Sequence, residues 1–185
     1  MYIALGIIVV LLLIFAFMYN SLINKRNQVD YAWANIDVQL KKRADLIPNL
    51  VSSAKQYMDH EKGVLADIVR LRNSVHELDD KSPERMSVEN QLSTALGRLA
   101  VTVESYPDLK ANDNFQLLMR SLNEVESQIS ASRRAFNGSV LSLNNSVQMF
   151  PTNIMAGIMG MQMETPFEAL PEERTNVDVE GLFNK

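Results

Sequence analysis

The chain has 185 residues, a net charge of −4, no cysteine, seven glycines and six prolines. Without cysteine there is no disulfide framework, thiolate nucleophile or Cys-based zinc site, and the interspersed charges leave no basic face for nucleic acid. Long stretches free of Gly and Pro favour long helices over a turn-rich β fold.

The first 24 residues contain no Lys, Arg, Asp or Glu, and Ile3 to Met18 is almost solidly Ile, Leu, Val, Ala and Phe. About 20 apolar residues are needed to cross the hydrocarbon core, so residues 1–24 suffice for a transmembrane anchor. Tyr2 and Tyr19 stand near its ends, where amphipathic rings suit the interface. A cleaved signal peptide is disfavoured: there is no basic n-region, the apolar run is too long, and no small-x-small site lies between Met18 and Lys25. Gly6 is the span's only glycine, so a Gly-based dimer motif is absent. Lys25 and Arg26, with Lys41, Lys42 and Arg43 beyond, place the following domain in the cytoplasm by the positive-inside rule; a periplasmic or extracellular domain is the alternative.

Residues 25–150 read as a helical bundle. Leu22, Val29 and Ile36 repeat every seven residues, and Trp33, Leu40 and Ile47 repeat in a second register, together making a 3-4 apolar stripe. With no Gly or Pro from residue 7 to 47, the membrane helix is expected to run on into the bundle. Pro48 lacks an N–H and disfavours helix before it, so a kink or break is expected there. A second stripe runs from Leu50 through Ala54, Tyr57, Leu65, Ile68 and Leu71 to Val75. Periodicity is lost from Glu77 to Pro83. A third helix is predicted from about Pro83 to Ser105, with Val88, Leu92, Leu96, Leu99 and Val103 on one face. The longest stripe joins Phe115, Leu118, Leu122, Val125, Ile129, Phe136, Val140, Leu143, Val147 and Phe150, with Ser132 filling its one gap and Pro151 ending it. Helices of this length pack most simply as an elongated, largely antiparallel bundle.

Residues 151–185 form a third region. Pro151 to Met163 is uncharged and holds Met155, Met159, Met161 and Met163. Adaptable Met-rich surface suits partners or lipid; alternatively Ile154 and Ile158 cap the bundle's own core. Glu164 to Lys185 is acidic yet carries Phe167, Leu170, Val177, Val179, Leu182 and Phe183, too apolar for a typical disordered tail. It reads as a partly ordered arm packing on the bundle or on a neighbour.

Catalytic patterns are incomplete. His60-Glu61 and His76-Glu77 lack the second histidine that a zinc-protease helix needs four residues on, and neither histidine has a Glu three residues before it as di-iron bundles require. Both histidines therefore read as structural, and no metal or cofactor is implied. Asn137-Gly-Ser and Asn144-Asn-Ser match the glycosylation pattern but sit on a predicted helix. The densest polar stretch runs from Asn35 to Asn49. There Asp37, Lys41 and Asp45 follow at i,i+4 and can pair along one face, with Asn49 next in the row. Arg43 instead falls on the apolar register of Val29 and Ile36. A charge on a buried seam needs a partner, so Arg43 is expected to pair with a carboxylate such as Glu61 or Glu104 and to fix the packing register.

Several segments resemble the LemA family of bacterial membrane proteins. They are Tyr19 to Asn27, Ala32 to Val51, His60-Glu61, Leu96 to Leu99, Glu104 to Ala111 with Phe115, Ala135 to Asn137, Phe150 to Ala156, and Phe167 to Ala169, in order along nearly the whole chain. The resemblance implies an N-terminal membrane anchor and an antiparallel helical bundle; it implies no activity and supplies no active-site residues. One departure is visible, Gly157 to Met163, where the family more often has an aromatic. The expectation is a non-enzymatic, membrane-anchored scaffold that self-associates through the bundle and arm. The alternative is an adaptor recruiting an envelope protease, phosphatase or other protein.

Overall fold

The protein is described by a computed structural model covering residues 1–58 and 61–167. Among the described residues all regular structure is helical: α1 (Tyr2–Lys55), α2 (Lys62–Val75), α3 (Pro83–Val103), α4 (Pro107–Lys110), α5 (Asp113–Gln148) and α6 (Thr152–Ile158).

α1 is the spine. Its 54 residues extend about 80 Å at 1.5 Å per residue. α5 packs antiparallel along it, and contacts fall in step: Lys25 meets Ser142, Trp33 meets Phe136, and Arg43 meets Glu126. α2 folds back on the distal part of α1, and α3 turns outward again against α2. The distal half is therefore a four-helix, up-down-up-down arrangement around Ile47, Leu50, Ile68, Leu92, Leu99 and Phe115. The half nearer the N-terminus is mainly the α1–α5 pair, built on Val29, Ile36, Ile129, Phe136 and Val140. Caps fix two of the starts. The Ser82 hydroxyl accepts from the Arg85 amide at 3.1 Å with Pro83 at the first helical position, and the Asn112 side chain accepts from the Phe115 amide at 3.0 Å.

Residues 2–17 of α1 project beyond the bundle with every side chain exposed, and Met18 is the first buried one. α1 holds the one helical segment, among the described residues, that is long and apolar enough to cross a membrane. Bundle packing thus begins at Met18 and Leu22, inside the segment read as anchor, where Met155 and Ala156 of α6 cover both.

Of the kink or break expected at Pro48, the break does not occur: α1 continues to Lys55. Pro48 is on the exposed side, and the Ala44 carbonyl, deprived of its usual donor four residues on, accepts from Arg72 Nε of α2 at 3.0 Å. The chain turns instead after Lys55. Phe150, placed on the long apolar stripe, is exposed because α5 stops at Gln148 and the chain turns through Pro151 into α6. Ile154 and Ile158 do not cap the core; both are exposed, and Met155 and Ala156 face inward.

Candidate functional site

The most concentrated buried polar chemistry surrounds Arg43. Its guanidinium is completely buried and joins three helices. It is ion-paired to Glu89 of α3, whose side chain is 3% exposed, and to Glu126 of α5 at 2.7 Å. Nη1 donates to Ser93 Oγ at 2.6 Å, and that hydroxyl donates to the other Glu126 oxygen at 3.0 Å. Nη2 also reaches the Glu89 carbonyl at 3.4 Å. Arg43 is thus paired with carboxylates, but not with those expected. Glu104 lies fifteen residues beyond Glu89 on α3, about 22 Å along the axis, and binds Lys110 on the surface. Glu61 precedes α2 beyond the end of α1, at the distal tip.

The other expected polar residues divide. Asp37 pairs with Arg85 of α3 at 2.8 Å, across helices rather than along its own. Arg85 also binds Asp80, and Lys81 reaches Asp30 at 2.6 Å, so the α2–α3 loop is tied back to α1 by charge. Asp37 and Asp45 share the rim of a recess of about 380 Å³ with Glu89, Arg72 and Arg85. Asn49 is exposed on α1 and takes no part. His76 is exposed where α2 ends, and His60 lies outside the described residues. Among the described residues no group of three or more His, Asp or Glu is arranged to hold a metal.

A second constellation holds the arm. Asn144 donates to the Glu164 carbonyl and accepts from its amide, both at 2.9 Å. Asn137 does the same for Phe167, at 3.0 and 2.8 Å. The spacing is geometric: seven helical residues rise about 10.5 Å, and three extended residues span about 10 Å. Each asparagine therefore meets one backbone unit of the strap, completing both of its hydrogen bonds. The clamp seats Phe167 in an aromatic cluster. Its ring stacks on Trp33 at 5.7 Å between centroids and meets Phe136 edge-on at 5.8 Å, with the Arg133 guanidinium 4.9 Å from its centroid. The arm thus packs on its own bundle through Phe167; Leu170, Val177, Val179, Leu182 and Phe183 lie outside the described residues.

In the Met-rich segment, Met155 is buried and Met159 and Met161 pack half-buried beside it. Met163 is exposed, with its sulfur 2.8 Å from the Gln148 amide nitrogen. At the opposite end of the bundle, α1 and α2 form an apolar groove of about 810 Å³ lined by Val51, Met58, Leu65 and Val69, with Lys55, Lys62 and Arg70 around it.

Sequence reasoning missed Glu89, Glu126 and the two asparagine clamps. Glu89 carried a usable signal: it stands three residues before Leu92 in the apolar register of α3, as Arg43 does in α1. Opposite charges on two seams that must pack are natural partners. The asparagines carried a weaker one, a pair seven residues apart on one helical face.

The chain is similar to named proteins over most of its length. A Metamycoplasma hominis protein named Protein LemA is 27% identical over 92% of this chain and 80% of its own length. Magnetosome proteins MamQ of Paramagnetospirillum magneticum and Magnetospirillum gryphiswaldense are 22% identical over 90% of this chain and 71% of theirs. These names are not those of enzymes, and with the exposed apolar helix they fit a membrane-associated protein. The LemA family model matches residues 32–180, most of the chain, and the protein belongs to the LemA family.

Proposed function

We propose that this protein is a non-enzymatic, single-pass membrane scaffold whose bundle stands off the bilayer as a rigid stalk. One observation carries the proposal: the apolar segment and the bundle's spine are the same unbroken helix. From Lys25 to Lys55 that helix rises about 45 Å, so whatever binds the distal end is held at a set height above the lipid. The buried polar groups serve the same end, since Arg43 and the asparagine clamps tie helices and arm together. Lys25 and Arg26 favour a cytoplasmic domain. Protomers self-associate through the helical domain and the arm. The half nearer the membrane offers exposed Tyr31, Val38 and Leu141 for this contact.

Light scattering on detergent-extracted full-length protein, beside forms lacking residues 1–20 or 164–185, tests the proposal. A defined multimer that collapses on either truncation supports it; a monomer in all three forms rules out self-assembly. The distal groove favours a second reading, an adaptor that receives an envelope protein there. Co-purification separates the two: copies of this chain alone, or a second chain lost when Leu65 or Val69 is replaced by Asp.

A further inference from the structure

We propose that α6 and the turn before it form a membrane-seated foot that inserts into the interfacial layer of the same bilayer the N-terminal helix crosses. The inference rests on the single-pass reading and adds a second, independent lipid contact.

The first ground is length. Crossing about 30 Å of hydrocarbon takes about 20 helical residues. Residues 2–17 project free of the bundle and rise about 24 Å. The missing turn is supplied by Met18 to Leu22, which α6 already covers through Met155 and Ala156. A helix that is fully inserted carries α6 to the membrane surface.

Charge gives the second. On α1 the first charged side chain is Lys25, and its ammonium donates to the Ser142 hydroxyl of α5 at 2.6 Å. Lys25 with Arg26 marks the headgroup level. α5 beyond Ser142, the turn and α6 all lie on the membrane side of that level. Met18 lies about 10 Å from Lys25 on the membrane side, comparable with the 5–10 Å over which interfacial elements bury apolar surface. No charged residue or histidine occurs from Ala135 to Met163.

The third ground is the exposed face. Ile154 and Ile158, one helical turn apart, are 53% and 70% exposed, and Phe150 is 79% exposed. Three large apolar side chains on a short uncharged element beside a membrane helix are costly in water and favourable in acyl chains. Continuity with the span selects lipid as the occupant.

The natural absence of cysteine makes the test clean. Single-cysteine variants Ile154→Cys and Ile158→Cys, with Phe15→Cys and Leu117→Cys as references, are nitroxide-labelled in the full-length protein. They are reconstituted in phosphatidylethanolamine–phosphatidylglycerol vesicles, and collision with oxygen is compared with collision with a water-soluble nickel chelate. Oxygen dominates at 15, 154 and 158, and nickel dominates at 117, if the foot is seated in lipid. Nickel dominance at 154 and 158 with oxygen dominance at 15 overturns the foot and leaves the anchor standing. Labels at 154 and 158 shielded from both reagents and broadened by spin–spin coupling mean that a second copy covers the face, which also overturns it. Nickel dominance at 15 refutes the anchor itself, and the foot with it.

Discussion

Replacing Arg43 by Met keeps most of the side-chain volume and removes the charge that joins α1, α3 and α5. What remains decides the cost. Glu89, with its side chain 3% exposed, loses its ion pair while still enclosed by apolar neighbours; Glu126, at 28%, can turn toward water. Breaking a buried pair by removing one partner costs about 3–5 kcal/mol, most of it from the charge left behind. For a chain of this size that lowers the melting midpoint by about 6–20 °C. The assay is denaturant or thermal unfolding of the detergent-solubilised full-length protein, followed by Trp33 emission and far-ultraviolet circular dichroism. The pairwise double variant Arg43→Met/Glu89→Met removes the stranded carboxylate, so it recovers much of the loss although it contains one more substitution. Glu61→Gln and Glu104→Gln, at the carboxylates expected from sequence, change stability by less than about 0.5 kcal/mol. An Arg43→Met protein within about 1 kcal/mol of the parent, or a double variant weaker than the single one, refutes the structural role assigned to the cluster.

Asn137→Ala and Asn144→Ala each remove two hydrogen bonds to the arm, at about 1–2 kcal/mol each. Hydrogen exchange at the Phe167 and Glu164 amides accelerates, while exchange in the core of α5 is unchanged. Phe167→Ala unseats the arm and wets the indole of Trp33, the sole tryptophan, so its emission shifts to the red; an unshifted spectrum sinks the stacking assignment. Pro48→Ala restores an intrahelical donor to the Ala44 carbonyl and stabilises α1 by about 1–3 kcal/mol in chemical denaturation. Arg72→Met costs about 1 kcal/mol in the parent and less in the Pro48→Ala background, a coupling readable from a double-mutant cycle.

Periodicity made the helices legible. Val29, Ile36, Leu40 and Ile47 on α1, and Phe115 to Leu143 on α5, are buried largely as their 3-4 spacing requires, because a long helix can hide only one stripe. Local rules failed where a distant residue supplied what they assume missing. Pro48 removes a donor, and Arg72, on another element, donates to the Ala44 carbonyl in its place while the helix runs on. Phe150 continues the stripe in sequence but lies beyond the last turn of α5, so its register says nothing about its neighbours. Arg43 stood out as a charge on an apolar seam, yet its partners depended on the axial alignment of α1 with α3. The loop around Lys81, bound to Asp30, and Arg85, bound to Asp37, helps set that alignment.

The polar residues share a logic that bears on what the molecule does. Arg43 joins three helices, Arg72 mends the spine, Lys25 joins α1 to α5, and Asn137 and Asn144 fasten the strap; each links elements far apart in sequence. They are distributed along the rod, about one crosslink to each few turns, with the most deeply buried charge near the middle. Apolar packing alone lets antiparallel helices slide by a heptad, because one Leu or Ile serves a seam about as well as the next. A buried Arg–Glu pair and a pair of asparagines matched to one strap spacing each penalise such a slip. Length and register are what these residues protect, and the stalk proposed for this protein needs both.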